Sequence, residues 1–400
     1  MLKHSATYLI LLFMLSLASL VRGQETTVEP DRLADDFVTV SLVVCEPYEV
    51  LYSSLGHAAL HLQCPTYDLD YIFSFESESV RKKFWTFLKG DLKMGMYAFP
   101  VDLFLQMYRL VGRGVCEYQM NLSPIQKQQI WRVMDELQTA GMTLPYDYFH
   151  RGCAKSVVHV VNKAIGGQGI HYAPWPEKYT QSTMRELCCD FVTNAPWNEF
   201  VSYFLVGTKA DKDYPCEQKL IVPTDLVEVW QQATFANGQP VLEKEPKVLV
   251  ESSGPRKATW CSPLLVSVIL LLLALGSLAT IWSKSNGLRI AGQVIDYMIL
   301  TLSTVLGILM TYLICFSSLP CTEWNWLIIP FNILPAICWY WRKYWALPYA
   351  ALLIVWMLIM IVWPHRLVDL AHILLVLSWA IVLVKQSLSK KIITNIKNIN

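Results

Sequence analysis

The sequence predicts an exported α+β domain followed by an all-α domain of five transmembrane helices. Three observations predict it. The apolar set is 54% of the 400 residues and the charged set only 16%, against about 25% charged in a typical soluble domain. The charge is also unevenly placed. Residues 24–260 hold most of it, while residues 264–386 hold long apolar runs that have no soluble reading. Finally, the chain opens on a short basic start and an apolar stretch, the pattern of an export signal. A fully soluble enzyme and a disordered chain are excluded. The formal net charge of +1 gives no reason to expect a nucleic-acid partner. The expected divisions are a signal over 1–23, the exported domain over 24–236, a polar linker over 237–260, the membrane domain over 261–387 and a basic tail over 388–400.

In the signal, Lys3 and His4 precede the apolar run Tyr8–Leu20, and Val21-Arg22-Gly23 offers small or β-branched residues where a peptidase cuts. The alternative is an uncleaved anchor. Either way Gln24 onward lies outside the cytoplasm. Cysteine usage fits an oxidising compartment only in part. The exported region carries seven: Cys45, Cys64, Cys116, Cys153, Cys188, Cys189 and Cys216. An odd count leaves one thiol unpaired or intermolecular. Cys45 and Cys64 bracket one possible hairpin, and Cys188 or Cys189 is a candidate partner for Cys216. No C-x-x-C spacing is present there, so no metal and no other cofactor is expected.

Phe37–Cys45 is rich in β-branched residues and reads as a strand. Gly56–Leu62 and Tyr71–Glu76 are the next two. Alternation along the second puts His57, Ala59 and His61 on one face and Ala58, Leu60 and Leu62 on the other. Val80–Gly90 is a short helix stopped by glycine. Gly114–Leu122 alternates and reads as a strand. Ser123-Pro124 then starts a helix, Ser capping free N–H groups and Pro suiting the first turn. Ile130, Val133, Met134 and Leu137 give it an apolar stripe. Tyr146–Gly152 is an aromatic loop, and Cys153–Ile165 a helix stopped by Gly166-Gly167. Residues 168–220 show no clear period.

Five apolar segments follow, roughly Leu264–Trp282, Gln293–Phe316, Trp326–Trp341, Tyr344–Trp363 and Leu367–Lys385. Pro330 and Pro335 interrupt the third, and backbone groups freed in a bilayer need other partners. Trp residues cluster at the segment ends as an aromatic belt. Lys284, Arg289, Arg342, Lys343, Lys385, Lys390, Lys391 and Lys397 fall on one side. Arg256, Lys257 and Arg366 fall on the other. That asymmetry places the tail inside and the N-terminal domain outside. Asp296 and His372 are the ionisable residues within these segments, and His372 has Asp369 as a possible partner. Asn325, Pro330, Asn332 and Pro335 suggest a cavity open toward the exported domain.

The chemistry points to His57 on a strand and Cys153 at a helix start. A thiol is a weak nucleophile until it becomes a thiolate. A helix N-terminus favours the thiolate through its partial positive charge and free N–H groups. The same N–H groups can hold the oxyanion formed when sulfur attacks a carbonyl, while an imidazole takes and returns the proton. A lone Cys at a helix start is more often a small core residue, and a lone His on a strand more often structural. The pair within one exported domain is what gives the signal its weight. His150 reads as a loop residue and His159 as a helix-face residue.

The order, His-strand first and Cys-helix later, resembles the circularly permuted NlpC/P60 group of papain-like thiol enzymes. Ser53-Ser54-Leu55-Gly56-His57-Ala58-Ala59-Leu60 and Tyr146-Asp147-Tyr148-Phe149-His150-Arg151-Gly152-Cys153 look like the two signatures of one exported branch, the Lnb-type bacterial lipoprotein N-acyltransferases. A five-helix membrane domain after such a domain is also that family's architecture. Gly152 stands where the resemblance leads one to expect Asn, and His61 where it leads one to expect Arg. The third, orienting polar group should lie on the following strand, with Ser74 as candidate and Glu76 in reserve.

The resemblance implies an acyltransferase at the outer face of the bacterial inner membrane. Cys153 would take an acyl chain from a phospholipid donor as a thioester. The α-amine of a diacylated lipoprotein acceptor would then receive it, with His57 as base and acid. The alternatives are a membrane-anchored cysteine peptidase or amidase acting on peptidoglycan peptides, and a non-catalytic envelope scaffold. A hydrophobic channel from Cys153 toward the bilayer discriminates among them.

Overall fold

The computed structural model describes residues 31–397 apart from 32, 35, 142, 167–168, 193–194, 255–259, 320–322 and 335–344. The export signal over 1–23, Arg256, Lys257, Arg342, Lys343, Pro335 and the rest of the third apolar segment lie outside the described residues.

The N-terminal domain is built on a seven-stranded antiparallel sheet. Its strands are β1 (Thr39–Cys45), β2 (His57–Cys64), β3 (Leu69–Ser77), β4 (Lys93–Pro100), β5 (Val115–Gln119), β6 (Thr143–Pro145) and β7 (Lys247–Val250). Across the sheet they run β6-β4-β3-β2-β1-β5-β7. Four helices belong to the same region: α1 (Phe84–Lys89), α2 (Val101–Val111), α3 (Pro124–Ala140) and α4 (Cys153–Ile165). The alternation expected in β2 sorts its residues as predicted. Ala58, Leu60 and Leu62 pack with Val157, Val160 and Val161 of α4. Ala59 joins Val43, Ile72 and the α2 residues Phe104 and Leu105 on the opposite face. The sheet is thus covered on both sides, and its central strands are apolar on both faces.

α3 starts as its sequence requires. Ser123 and Gln126 form a reciprocal capping box with Pro at the first turn, and Ile130, Val133 and Met134 are buried. Residues 168–220, where no period is visible, fold into α5 (Glu177–Gln181), α6 (Met184–Phe191) and α7 (Pro196–Leu205). After them α8 (Pro223–Trp230) returns to the core. The stretch read as a linker is partly sheet, because β7 within it pairs with β5. Its Lys-Val-Leu-Val run is too short to stand out between polar flanks.

The C-terminal region is helical: α9 (Pro263–Ala279), α10 (Asn286–Phe316), α11 (Ala346–Val362) and α12 (Leu370–Lys397). Among the described residues three helices are long and apolar enough to cross a membrane, over Pro263–Trp282, Asn286–Phe316 and Leu370–Leu388, and Ala346–Val362 is a shorter apolar helix. Trp326–Ile328 forms a single tight turn before the chain leaves the described region.

The expected cysteine pairings do not form. All seven exported cysteines are free thiols. Cys45 lies opposite His57 in the β1–β2 register, at the far end of the hairpin from Cys64. At about 3.3 Å per residue this separates them by ~23 Å, well beyond a disulfide's reach.

Candidate active site

The site lies where the first residue of β2 meets the first turn of α4. Gly152 caps α4 in an extended conformation (φ −60°, ψ 168°) without a side-chain hydrogen bond, so the cap places no side-chain oxygen over the first-turn N–H groups beside Cys153. A Cβ on Gly152 would sit 3.3 Å from the Tyr148 carbonyl oxygen, so the turn is tight as well as uncapped. His57 faces Cys153 and is hydrogen-bonded to it.

Behind His57 runs a short relay. His57 Nε2 is 2.6 Å from Ser74 Oγ, and Ser74 Oγ donates to Glu76 Oε1 at 2.7 Å. Since the hydroxyl proton goes to Glu76, Ser74 accepts from Nε2–H. This fixes the tautomer and leaves Nδ1 as the ring nitrogen for the thiol. The β2–β3 register sets Ser74 opposite Ala59, which puts its hydroxyl on the His57 face of the sheet. Ser74 is fully buried, and Glu76 also approaches Nε2 directly at 3.4 Å.

The electrostatics favour an ion pair. Burial opposes charge on His57, but Glu76 and the Cys153 sulfur outweigh it and raise the imidazole to about 9. Burial likewise pushes the Cys153 thiol up. The His57 charge and hydrogen bond, with the Ala58 N–H, overcome that and hold it below its ordinary 9.0. Cys45 contrasts with it. Enclosed beneath the site, its thiol is pushed up to about 12. Cys188, which lines the same cavity, is also at about 12 through burial. Of these three thiols, only Cys153 has its pKa lowered.

The other imidazoles stand apart. His61 shares the His57 face, but its Nδ1 meets Glu117 at 2.5 Å and its Nε2 meets Asp70 at 2.7 Å, so both nitrogens are engaged. His150 bonds to Asp147, and His159 lies on the exposed face of α4. In the membrane region the His372 ring stacks on Phe200 of α7, with centroids 4.1 Å apart. Asp369 instead accepts from Arg366 and from the Leu370 N–H. Asp296 pairs with Lys385 at 2.6 Å. Asn325 caps the end of α7, donating to the Tyr203 and Val206 carbonyls at 2.7 and 3.1 Å. Asn332 likewise turns to local carbonyls and Tyr349. Neither asparagine lines the cavity that holds Cys153.

That cavity, of 210 Å3, is lined by Cys153, His57 and Glu76 together with Leu51, Val80, Phe87, Tyr146, Tyr148 and Leu205. The last six also pack in one cluster with Leu309, Tyr312 and Leu313 near the end of α10. Its apolar wall is therefore continuous with a membrane helix, a connection that no local sequence pattern announces.

Family models for the Lnb N-terminal periplasmic domain and the Lnb transmembrane domain match residues 31–185 and 255–394. No curated protein and no solved structure matches the chain. The two family matches fall in order on the two regions that the fold separates, one holding Cys153 and His57 and the other the apolar helices. The chain is therefore an Lnb-type protein, membrane-anchored, with its N-terminal part periplasmic.

Proposed function

We propose that the protein is a thiol-dependent lipoprotein N-acyltransferase. Membership in the Lnb family supports an acyltransferase of this kind. The observation that carries the finer reading is the cavity, which joins a Cys153–His57–Ser74–Glu76 chain to an apolar wall shared with α10. A peptidoglycan peptide is polar and gains nothing from such a wall, whereas an acyl chain does.

Cys153 thiolate attacks the ester carbonyl of a phospholipid, and the N–H groups at the start of α4 receive the oxyanion. The sulfur–acyl bond forms, the ester bond breaks, and the His57 imidazolium gives its proton to the departing lysophospholipid oxygen. The α-amine of a diacylglyceryl-Cys N-terminus then attacks the thioester. His57 takes the amine proton as the amide forms and Cys153 leaves as thiolate. Ser74 and Glu76 orient the imidazole and stabilise its charged form. The apolar wall excludes water, which would otherwise hydrolyse the thioester.

Labelled phospholipid alone should load Cys153 on the purified protein, with neutral hydroxylamine stripping the label. A diacylated lipopeptide with a free amine should discharge it as an amide, and an amine-blocked one should leave the enzyme loaded. Cys153-dependent cleavage of cell-wall peptides with no loading by phospholipid would replace this reading with the peptidase.

A further inference from the structure

We propose that α1 lies in the headgroup region of the outer leaflet and forms the portal by which phospholipid acyl chains reach Cys153. The inference rests on the acyltransferase reading. α1 has two apolar faces. Phe87 and Leu88 turn inward, where Phe87 lines the cavity. Phe84 and Trp85 turn outward, 49% and 72% exposed, with their rings in edge contact. An outward Trp–Phe pair on a six-residue helix has no place in water-facing structure unless something apolar covers it.

What covers it is indicated by where α1 is fastened. Gly90 ends α1 in the left-handed region (φ +82°), and a Cβ there would fall 2.4 Å from the Leu319 nitrogen. Ser318 donates to the Lys89 carbonyl oxygen through both its N–H (2.8 Å) and its Oγ (2.9 Å). Ser318 lies just beyond the end of α10, a 31-residue apolar helix whose last residue, Phe316, is 73% exposed. α1 is thus seated directly on the periplasmic end of a membrane helix. Exposed Arg81, Lys82 and Lys89 flank its aromatic pair. Aromatic rings beside cations are the composition that partitions to phosphate headgroups above an acyl boundary. With Phe87 on the cavity side and Trp85 on the bilayer side, the helix stands as the partition between the two.

The test uses the full-length protein in phosphatidylethanolamine–phosphatidylglycerol vesicles containing radiolabelled phospholipid. Benzoylphenylalanine in place of Trp85 should photocrosslink to lipid. The same probe in place of Ile125, an exposed apolar residue on α3, should not. Absence of a lipid crosslink at 85, or equal crosslinking at 125, overturns the proposal. The double variant Phe84→Glu/Trp85→Glu should lower Cys153 loading from vesicle phospholipid at least tenfold relative to loading from a water-soluble short-chain nitrophenyl ester. An unchanged ratio overturns the portal. Wild-type protein that no acyl donor loads would sink the acyltransferase reading instead, while the crosslink at position 85 still reports where α1 sits.

Discussion

At the scale of single residues, Glu76 decides how long His57 stays charged as pH rises. The carboxylate is the largest influence favouring the imidazolium, which holds its proton to about 9. Departure of the lysophospholipid oxygen needs that proton, so single-turnover acylation should decline only above about pH 9. Glu76→Gln removes the charge and should move this alkaline limb down toward the ordinary 6.5. An unmoved limb would mean that Glu76 does not tune the base. On the acid side, Cys153 is held below 9.0, so alkylation by iodoacetamide should begin at lower pH than for a free thiol. His57→Ala should remove that early reactivity and cost acylation about 10²–10⁴-fold. His61→Ala should leave the alkylation profile in place. It strands the buried Glu117 without its imidazole and should cost about 1–3 kcal/mol of stability. The Asp70 side of that clamp is half exposed and adds little.

At the scale of elements, legibility in the sequence followed the clarity of the local signal. β2 alternates strictly, α3 opens on a Ser-Pro cap, and α4 runs from Cys153 to a glycine stop, so each was visible residue by residue. α2 was not. It buries Phe104, Leu105 and Tyr108 at helical spacing, but it follows β4 directly through Pro100, with no side-chain cap to mark its start. β4 carries Gly95 and ends in Pro100, both strand-weakening. Within the site, Cys153 and His57 were legible because two short segments carry them. The order of Ser74 before Glu76 depends on a register opposite Ala59 that no single strand contains. α7 is a further case. Its fit depends on partners more than a hundred residues away, including Asn325 at its C-terminus and Arg366, which meets Glu199 at 2.6 Å. Asn325→Ala should leave the buried Tyr203 carbonyl short of a donor, while the Val206 carbonyl keeps Arg185, and cost about 1–3 kcal/mol. A lower melting temperature in detergent would show the loss, with Cys153 alkylation intact below the transition. An unchanged melting temperature would mean that α7 is held by its aromatic packing alone.

At the scale of the whole molecule, the two regions are joined through side chains and not only through the chain. Phe200, Tyr203 and Phe204 of α7 share one core with Phe331, Trp379 and the neighbouring helix faces, so the N-terminal half and the membrane half settle together. Deeper in the helical region a second device holds α9, α10 and α12 in register. Lys385 of α12 meets Asp296 of α10 at 2.6 Å, both almost wholly buried. Ser277 of α9 donates to the same carboxylate at 2.6 Å. Three helices therefore converge on one carboxylate. A Cβ on Gly292 would lie 2.4 Å from Thr280 Oγ1 and 3.1 Å from Lys385 Nζ, so the glycine is what lets α9, α10 and α12 close on the pair. Removing one charge leaves the other uncompensated in an apolar setting, a loss of about 3–5 kcal/mol in buried pairs, whereas replacing both by apolar residues is often close to neutral. Lys385→Met and Asp296→Leu should each sharply lower accumulation and thermal stability in detergent, and the double variant should recover most of both. If the pair instead takes part in turnover, the double variant will be stable but unable to load Cys153. Measuring accumulation and phospholipid loading on the same preparations separates a fastening that only assembles the membrane half from one the reaction needs.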